Sequence, residues 1–492
     1  IRLGWMPSYP QFDRSSLQFT EDYGTTDLNT VKAQVVAERK AGSLHFAAEA
    51  PDADQNQPKG MFIWRSNLFA SSGKGQEYFM RHLLGAENGL LAKQSERFKP
   101  QDMQWTEEPV DGKLDLAVAF DFRMVTTPLY SDIVLPAATW YEKEDLSSTD
   151  MHPYIHPFNK AVDPQWESQS DWQAFKRIAK TFSAMAAQYF PGKHYDLKTQ
   201  PIGHDTPNEM ASVNGEIQDW KKGECEPIPG KTMPILSLVE RDYTTIYDRY
   251  IALGPNAGGK VGGNGYSYSV ADEYAELKDI NGTYTAGIEA GMPRLDEDKK
   301  VAEAILHLSS ASNGHVAAKA WQSAEAITGE KLGDIAAGLR EKQMTFKSIT
   351  AQPSEAIPTP LGTSSKHDGD RYSPFSVNIE RNVPFRTLTG RQQFFIDHEL
   401  FEEYGEELAT YKPTLPPTVL GPSDVQVPPA EEEITLRYMT PHGKWNIHTT
   451  YQDNLYMLTL FRGGPTVWIS PADAAKIHVE DNDWVELYNK NG

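Results

Sequence analysis

Leu114-Asp-Leu-Ala-Val-Ala-Phe120, closed by Asp121, is a short apolar run bounded by polar residues. Its length predicts a buried strand rather than a helix. Upstream, Met61-Phe-Ile-Trp64 reads as a strand of the same kind. A small-residue loop, Arg65 to Gly75, follows it, and Gln76 to Leu84 reads as a helix. Downstream, a threonine-rich loop leads to Ser131-Asp-Ile-Val-Leu-Pro136. Strand, loop and helix repeating at this spacing predict a parallel α/β sheet with crossover connections. Ligands of open parallel sheets bind outside the carboxyl ends of the strands. Asn67 to Gly75 and Asp121 to Thr127 are therefore predicted to lie side by side at that edge.

Working outward, Thr30 to Lys40 has helical character, and Asp171 to Tyr189 is an amphipathic helix. Ser170 can cap the second, and Pro191-Gly192 ends it. Residues from about 195 to 290 read as irregular. Helical periodicity returns at Asp298 to Leu308, Gly314 to Ile327 and Lys331 to Arg340. Pro353 to Pro374 and Pro413 to Pro429 read as semi-rigid connectors. Near the end, Ser470-Pro471 is an N-cap with proline at the first helical position, and Trp484 to Tyr488 alternates as a strand. Ile1 is not an initiator residue, and the chain stops at Asn491-Gly492, where a hairpin should return. The expectation is an internal piece of a longer polypeptide.

Composition narrows the function. The chain has 492 residues and a formal net charge of -21. A nucleic-acid binder needs a basic face to neutralise phosphates, so that class is disfavoured. No apolar run approaches the ~20 residues of a membrane helix. The single cysteine, Cys225, lies in a charged stretch and reads as an ordinary loop thiol. One thiolate cannot hold an iron–sulfur cluster, and a structural zinc site usually needs several.

Each motif has a plain reading beside the chemical one. Asn67-Leu-Phe-Ala-Ser71-Ser72-Gly73-Lys74-Gly75 can hold a nucleotide through backbone N–H groups, hydroxyls and the lysine charge, or can be a tight turn. The residues alone favour the turn. Gly254 to Lys260 has phosphate-loop spacing, but Val261 replaces the metal-binding hydroxyl and no helix pattern follows, so an exposed loop is expected. His152-Pro-Tyr-Ile-His156-Pro could present two metal ligands, yet its prolines exclude a regular helix and a packed loop is the better reading. Glu142, Glu144 and Asp145 read as solvated charge rather than paired catalytic carboxylates. His442 and His448 lie in Thr440-Pro-His-Gly-Lys444-Trp-Asn-Ile-His448 and read, without context, as ordinary barrel histidines.

Taken in order, these segments resemble the molybdopterin-guanine-dinucleotide oxidoreductases. Trp140-Tyr-Glu-Lys-Glu-Asp-Leu-Ser-Ser-Thr-Asp-Met-His-Pro153, Arg386-Thr-Leu-Thr-Gly-Arg391 and the Thr440 to His448 segment look like the catalytic α subunits of membrane-bound respiratory nitrate reductases. The resemblance covers nearly the whole chain. It implies an α/β parallel-sheet cofactor domain with helical insertions, then the first part of a double-psi-type β-barrel. The divisions expected are residues 1–195 (dinucleotide-binding), 196–375 (irregular and helical insertion), 376–430 (connector) and 431–492 (truncated barrel).

The resemblance also implies molybdenum held by two molybdopterin guanine dinucleotides, and a 4Fe-4S cluster outside this stretch. Nitrate is the implied substrate. Quinol electrons arrive through a cytochrome b γ subunit and an iron–sulfur β subunit, at the cytoplasmic face of the cell membrane, with membrane contact only through those partners. Carried over residue by residue, Asn67, Ser71, Ser72, Gly73, Lys74, Asp121, Thr126, Thr127 and Asp132 flank a nucleotide arm. Thr440, His442, Lys444 and His448 face a pterin. No metal ligand is expected among these residues. The molybdenum-binding aspartate would lie elsewhere, leaving this stretch inactive by itself. The rival readings are a sister enzyme acting on chlorate, perchlorate or selenate, and a non-catalytic binding module.

Overall fold

The computed structural model describes residues 12–45, 47, 59–71, 78–85, 112–149, 152–200, 226–229, 233–263, 265–361, 364–367, 371–374, 378–379, 382–385, 390–391, 394–396, 399–413, 433–439, 443–445, 449, 451, 454–461 and 466–487. Two units arise, each from two separated stretches. One comprises Gln57–Pro136 with Thr410–Gly492, the other Ile1–Asn56 with Ala137–Ala409.

The first unit holds the parallel sheet. Strands β1 (Gly60–Trp64), β2 (Leu116–Asp121) and β3 (Ile133–Pro136) pair in the order β1-β2-β3. Both pairings are parallel, with Trp64 opposite Phe120 and Asp121 opposite Pro136. Central β2 buries Ala117, Val118, Ala119 and Phe120 almost completely, which is why that run lacks polar alternation. The expected helix at Gln76 to Leu84 is a wide, π-type helical segment, Tyr78–Leu83. Leu455–Leu460 is a short helix capped by Asn454. Ser470 accepts a hydrogen bond from the Asp473 N–H and caps Pro471–Ala474, as the sequence predicts. The strand expected from Trp484 is not formed among the described residues, and Trp484 is fully exposed. A strand needs a partner to satisfy its backbone groups, and alternation alone supplies none.

In the second unit, a single helical turn, Phe19–Asp22, precedes α1 (Leu28–Ala41), which is capped by Asp27. Strands β4 (Asp145–Thr149) and β5 (His152–Phe158) form an antiparallel hairpin, extended by the two-residue β10 (Ser354–Glu355). Helix α2 (Asp171–Tyr189) has the predicted bounds, and the Ser170 hydroxyl accepts the Gln173 N–H. The described part of the stretch expected to be irregular, from about 195 to 290, holds regular elements. Strand β6 (His194–Gln200) pairs antiparallel with β7 (Ile235–Arg241) over seven residues, across a long intervening segment. Neither strand alternates cleanly, which hid them. Their inner residues Leu197 and Leu236 pack with Met233 on α1 residues Val31 and Val35. Asp196, fully buried, accepts hydrogen bonds from Ser16 at 2.5 Å and from Arg241 at 2.7 Å, so its charge is paired.

Residues 254–261 turn into a second hairpin, β8 (Lys260–Val261) with β9 (Tyr268–Ser269). Helices α3 (Ala271–Asn281), α4 (Asp298–Leu308) and α5 (Gly314–Thr328) follow. The Lys331 to Arg340 stretch is 3₁₀ rather than α, over Gly333–Leu339. The connector expected at Pro353 to Pro374 contains β10 and two further paired strands, Ser364–His367 and Arg371–Pro374. The Pro413 to Pro429 connector falls almost wholly outside the described residues. Trp321, fully buried, belongs to the largest core among the described residues, together with Leu306, Leu332, Met344, Phe346 and Ile349.

Ahead of α4, Asp296 gives this unit a defined acid response. Burial works to raise its carboxyl, but hydrogen bonds from Arg294 and Lys300 outweigh it and bring the pKa down to about 2. A carboxyl depressed in the folded state stabilises above its unfolded pKa, ~3.9, and loses that contribution as pH falls through the folded value. Asp296→Asn should therefore be less stable than wild type by a constant amount above about pH 4, with the gap closing from there to about pH 2. Urea midpoints taken across that range check it. A gap independent of pH would show that the ion pair contributes nothing.

Candidate functional site at the carboxyl edge of the parallel sheet

Two chain segments leave the sheet on its carboxyl edge. After β1, Arg65 adopts φ 50°, a left-handed conformation, while its N–H still donates to the Phe120 carbonyl at 2.9 Å. That turn delivers Asn67 and the short helix Leu68–Ser71. After β2, Asp121 accepts the Arg123 N–H at 3.1 Å, and the helical turn Thr126–Leu129 follows.

Asn67 and Thr127 lock the two segments together. The Asn67 Oδ1 accepts the Thr127 N–H at 3.0 Å and its hydroxyl at 3.1 Å. The Thr127 Oγ1 in turn accepts the Phe69 N–H at 3.0 Å. Thr127 is fully buried. The adjacency predicted for these loops holds in the structure. The two residues expected to touch a ligand, however, direct these groups into the protein.

The electrostatics of this edge are mixed. Burial raises the Asp121 carboxyl above its ordinary value, against the backbone hydrogen bonds and the Arg65 and Arg123 charges that lower it. The Arg65 guanidinium lies over the Phe122 ring at 5.4 Å, and that of Arg123 over the Tyr451 ring at 4.5 Å. Neither arginine stood out in the sequence. Their mark there is only position, each within two residues of a strand end. Nor did Thr449, whose hydroxyl accepts from the Asn67 amide at 2.7 Å.

The other expected site residues divide clearly. Ser71 is exposed and Thr126 half-buried at the same edge. Asp132 is a correction. It immediately precedes β3, and its Oδ2 accepts the Ala117 N–H near the start of β2 at 2.7 Å. This is the amino edge of the sheet, opposite the Asn67–Thr127 lock, and its carboxylate anchors strand register there. Lys444 is exposed with its Nζ over the Trp445 ring at 4.9 Å. Ser72, Gly73, Lys74, Thr440, His442 and His448 lie outside the described residues.

In the second unit, His152 and His156 lie on a strand, not in a loop. The pairing to β10 involves only Tyr154 and Ile155, so Pro153 and Pro157 are tolerated. The two rings meet edge to face at 4.9 Å. His152 Nδ1 accepts the Tyr154 N–H at 3.2 Å. The acidic trio is spent on pairing. Glu142 accepts the Thr139 N–H, Glu144 pairs with Lys299, and Asp145 pairs with Lys143.

Three families match the chain. Residues 17–181 match the family described as molybdopterin oxidoreductase, and residues 436–492 the molybdopterin dinucleotide binding domain. Residues 259–380 match nitrate reductase alpha chain, domain V. The parallel sheet accords with the first of these, which spans β2 and β3. The chain is 50% identical over its whole length to the nitrate reductase alpha chain of Bacillus subtilis, of which it covers 40%. It is 42% identical to the respiratory nitrate reductase 1 alpha chain of Escherichia coli, again over its whole length and 40% of that relative. The perchlorate reductase alpha subunit of Dechloromonas aromatica is more distant, at 28% over 89% of this chain. The chain is thus similar over its whole length to nitrate reductase alpha chains, and it spans about 40% of the length of these relatives.

Proposed function

We propose that this chain forms part of the cofactor cradle in the catalytic subunit of a respiratory nitrate reductase, reducing nitrate to nitrite. The observation that carries the reading is the carboxyl edge of β1 and β2, locked by Asn67 and Thr127, with the half-buried Asp121 carboxylate within reach of the Arg65 and Arg123 charges. The fit to a guanine dinucleotide rests on donor chemistry. A carboxylate such as Asp121 can accept from the N–H groups of guanine, and Arg65 and Arg123 carry the charge that a diphosphate needs. Ser71 and Thr126 add hydroxyls at the same edge, and the Ser72 to Lys74 stretch would complete the contact.

When bound, a molybdenum bis(molybdopterin guanine dinucleotide) supplies two-electron oxygen-atom transfer. The protein's share is placement. The locked edge fixes the nucleotide end, and His442 and His448 hold pterin donors and acceptors in register, with Thr440 and Lys444 beside them. We place residues 431–492 at the start of a double-psi-type β-barrel, supported by the dinucleotide-binding match over 436–492. Electrons would come from quinol through cytochrome b γ and iron–sulfur β subunits at the cytoplasmic face of the membrane, a 4Fe-4S cluster lying elsewhere in the catalytic subunit. No described helix is long and apolar enough to cross a membrane.

The test is the full-length subunit purified with its partner subunits. Molybdenum and two guanine nucleotides per catalytic subunit are expected, with kcat/KM for nitrate above that for chlorate, perchlorate and selenate. A preference for perchlorate or selenate would move the protein to a sister activity. A subunit without guanine nucleotide would return it to a non-catalytic fold.

A further inference from the structure

The geometry points to a two-point clasp in which Asn67 and Arg123 grip the segment Thr449–Tyr451 and thereby position His448, its immediate neighbour in sequence. This inference rests on the cofactor reading for the role of His448, but the clasp itself rests on contacts within one unit.

The first point is the Asn67 side chain. Its oxygen has two acceptor sites, and Thr127 fills both with the N–H and the hydroxyl. The Thr127 hydroxyl cannot swing away, because it also receives the Phe69 N–H inside a fully buried site. The amide orientation is thus decided by its neighbours, and Nδ2 must face Thr449, donating to its hydroxyl at 2.7 Å. The second point is Arg123. Its N–H is tied to Asp121 at the end of β2, and its guanidinium covers the Tyr451 ring at 4.5 Å. The two grips flank residue 450 and rise from adjacent strands.

The gripped segment is one that needs holding. Tyr451 has φ 74°, a left-handed conformation that an aromatic residue rarely adopts. Such strain persists only where the surroundings over-determine it. Thr449 contributes a hydroxyl and Tyr451 a ring to contacts that span more than 320 residues of sequence. Asn67 therefore acts as a positioning residue, with its oxygen unavailable to a nucleotide. The same sheet edge that faces the dinucleotide fixes the chain that carries a pterin histidine.

The experiment uses the full-length enzyme with its partner subunits and two kinds of readout. The first is hydrogen–deuterium exchange of the peptide spanning 443–461, which needs no cofactor. Asn67→Leu and Thr449→Val should each exchange about fivefold faster there, the change one hydrogen bond supports, while Thr449→Ser keeps the wild-type rate. Arg123→Gln and Tyr451→Leu should match one another, and Tyr451→Phe should match wild type. The second readout is the Mo(V) signal and midpoint potential. Both should shift in Asn67→Leu at unchanged guanine-nucleotide content, with Thr449→Ser as the rescue. Unchanged exchange in Asn67→Leu and Arg123→Gln overturns the clasp. Nucleotide loss with an unshifted potential makes Asn67 a direct nucleotide ligand and overturns its positioning role. A wild-type enzyme without molybdenum removes the cofactor reading and the role given to His448, while exchange still decides the clasp.

Discussion

Replacing Trp321 by alanine is expected to lower the stability of its unit by about 4 kcal/mol. The indole is fully buried, and its N–H donates to the Pro358 carbonyl at 2.9 Å. Truncation opens a cavity in the core that Trp321 shares with Leu306, Leu332, Met344 and Phe346, where close packing limits collapse. It also strands the Pro358 carbonyl, adding a desolvation cost to the lost packing. Trp321→Phe should recover most of the packing but not the hydrogen bond, and so fall between the two. Urea denaturation followed by near-ultraviolet circular dichroism separates the three proteins. An alanine variant within ~1 kcal/mol of wild type would mean that this cluster is not the centre of the unit's stability.

The second large effect is expected at Lys143. Its ammonium is almost completely buried and donates to Asp145 at 2.7 Å and to Asp171 at 2.8 Å. Lys143→Met keeps the stem but leaves carboxylates facing each other without their cation. Losing one partner of a buried ion pair costs about 3 kcal/mol. Asp171 lies in the first turn of α2, where the helix dipole favours its charge, and Asp145 is partly exposed, so the loss belongs at the lower end of the range. Adding Asp171→Asn to Lys143→Met should restore part of the stability, because it removes the charge left unpaired. If the double variant is the weaker protein, the carboxylates were never held by the lysine, and hydrophobic contact of its stem is the whole effect.

What could be read from the sequence followed how local the signal was. β2 was legible because four consecutive buried apolar residues need no partner to be recognised. α2 was legible because Ser170 and Pro191-Gly192 punctuate it. β6 and β7 were not, since β6 buries Asp196 and Lys198, residue types expected at a surface, and their pairing joins residues more than thirty positions apart. Asn67, Asp121 and Thr127 were expected at the carboxyl edge of the sheet from their places at strand ends, and they lie there. Their division into lock and charge was not visible, because whether an amide faces a ligand or a neighbour depends on the packing of Phe69 and Thr127. Asp132 misled for the reverse reason. Adjacent to a strand in sequence, it stands at the wrong end of it. Arg65, Arg123 and Tyr451 take their roles from left-handed turns and ring contacts that composition does not encode.

The interleaving of the two units has a consequence for the order in which a ribosome can build them. The chain starts one unit, departs at about residue 57 to start the other, returns at about 137 and departs again at about 410. At roughly 5–20 residues per second, about 20–75 seconds separate the emergence of Asn67 from that of Thr449. Throughout that interval the strand-end amide has no hydroxyl to meet, and the sheet waits while the helical unit is completed around Trp321. The stretch that surrounds Trp321 is therefore complete before Thr449 emerges. The Asn67–Thr449 contact closes only when the Thr410–Gly492 stretch arrives, so for that interval the carboxyl edge of the sheet stands without its second tie.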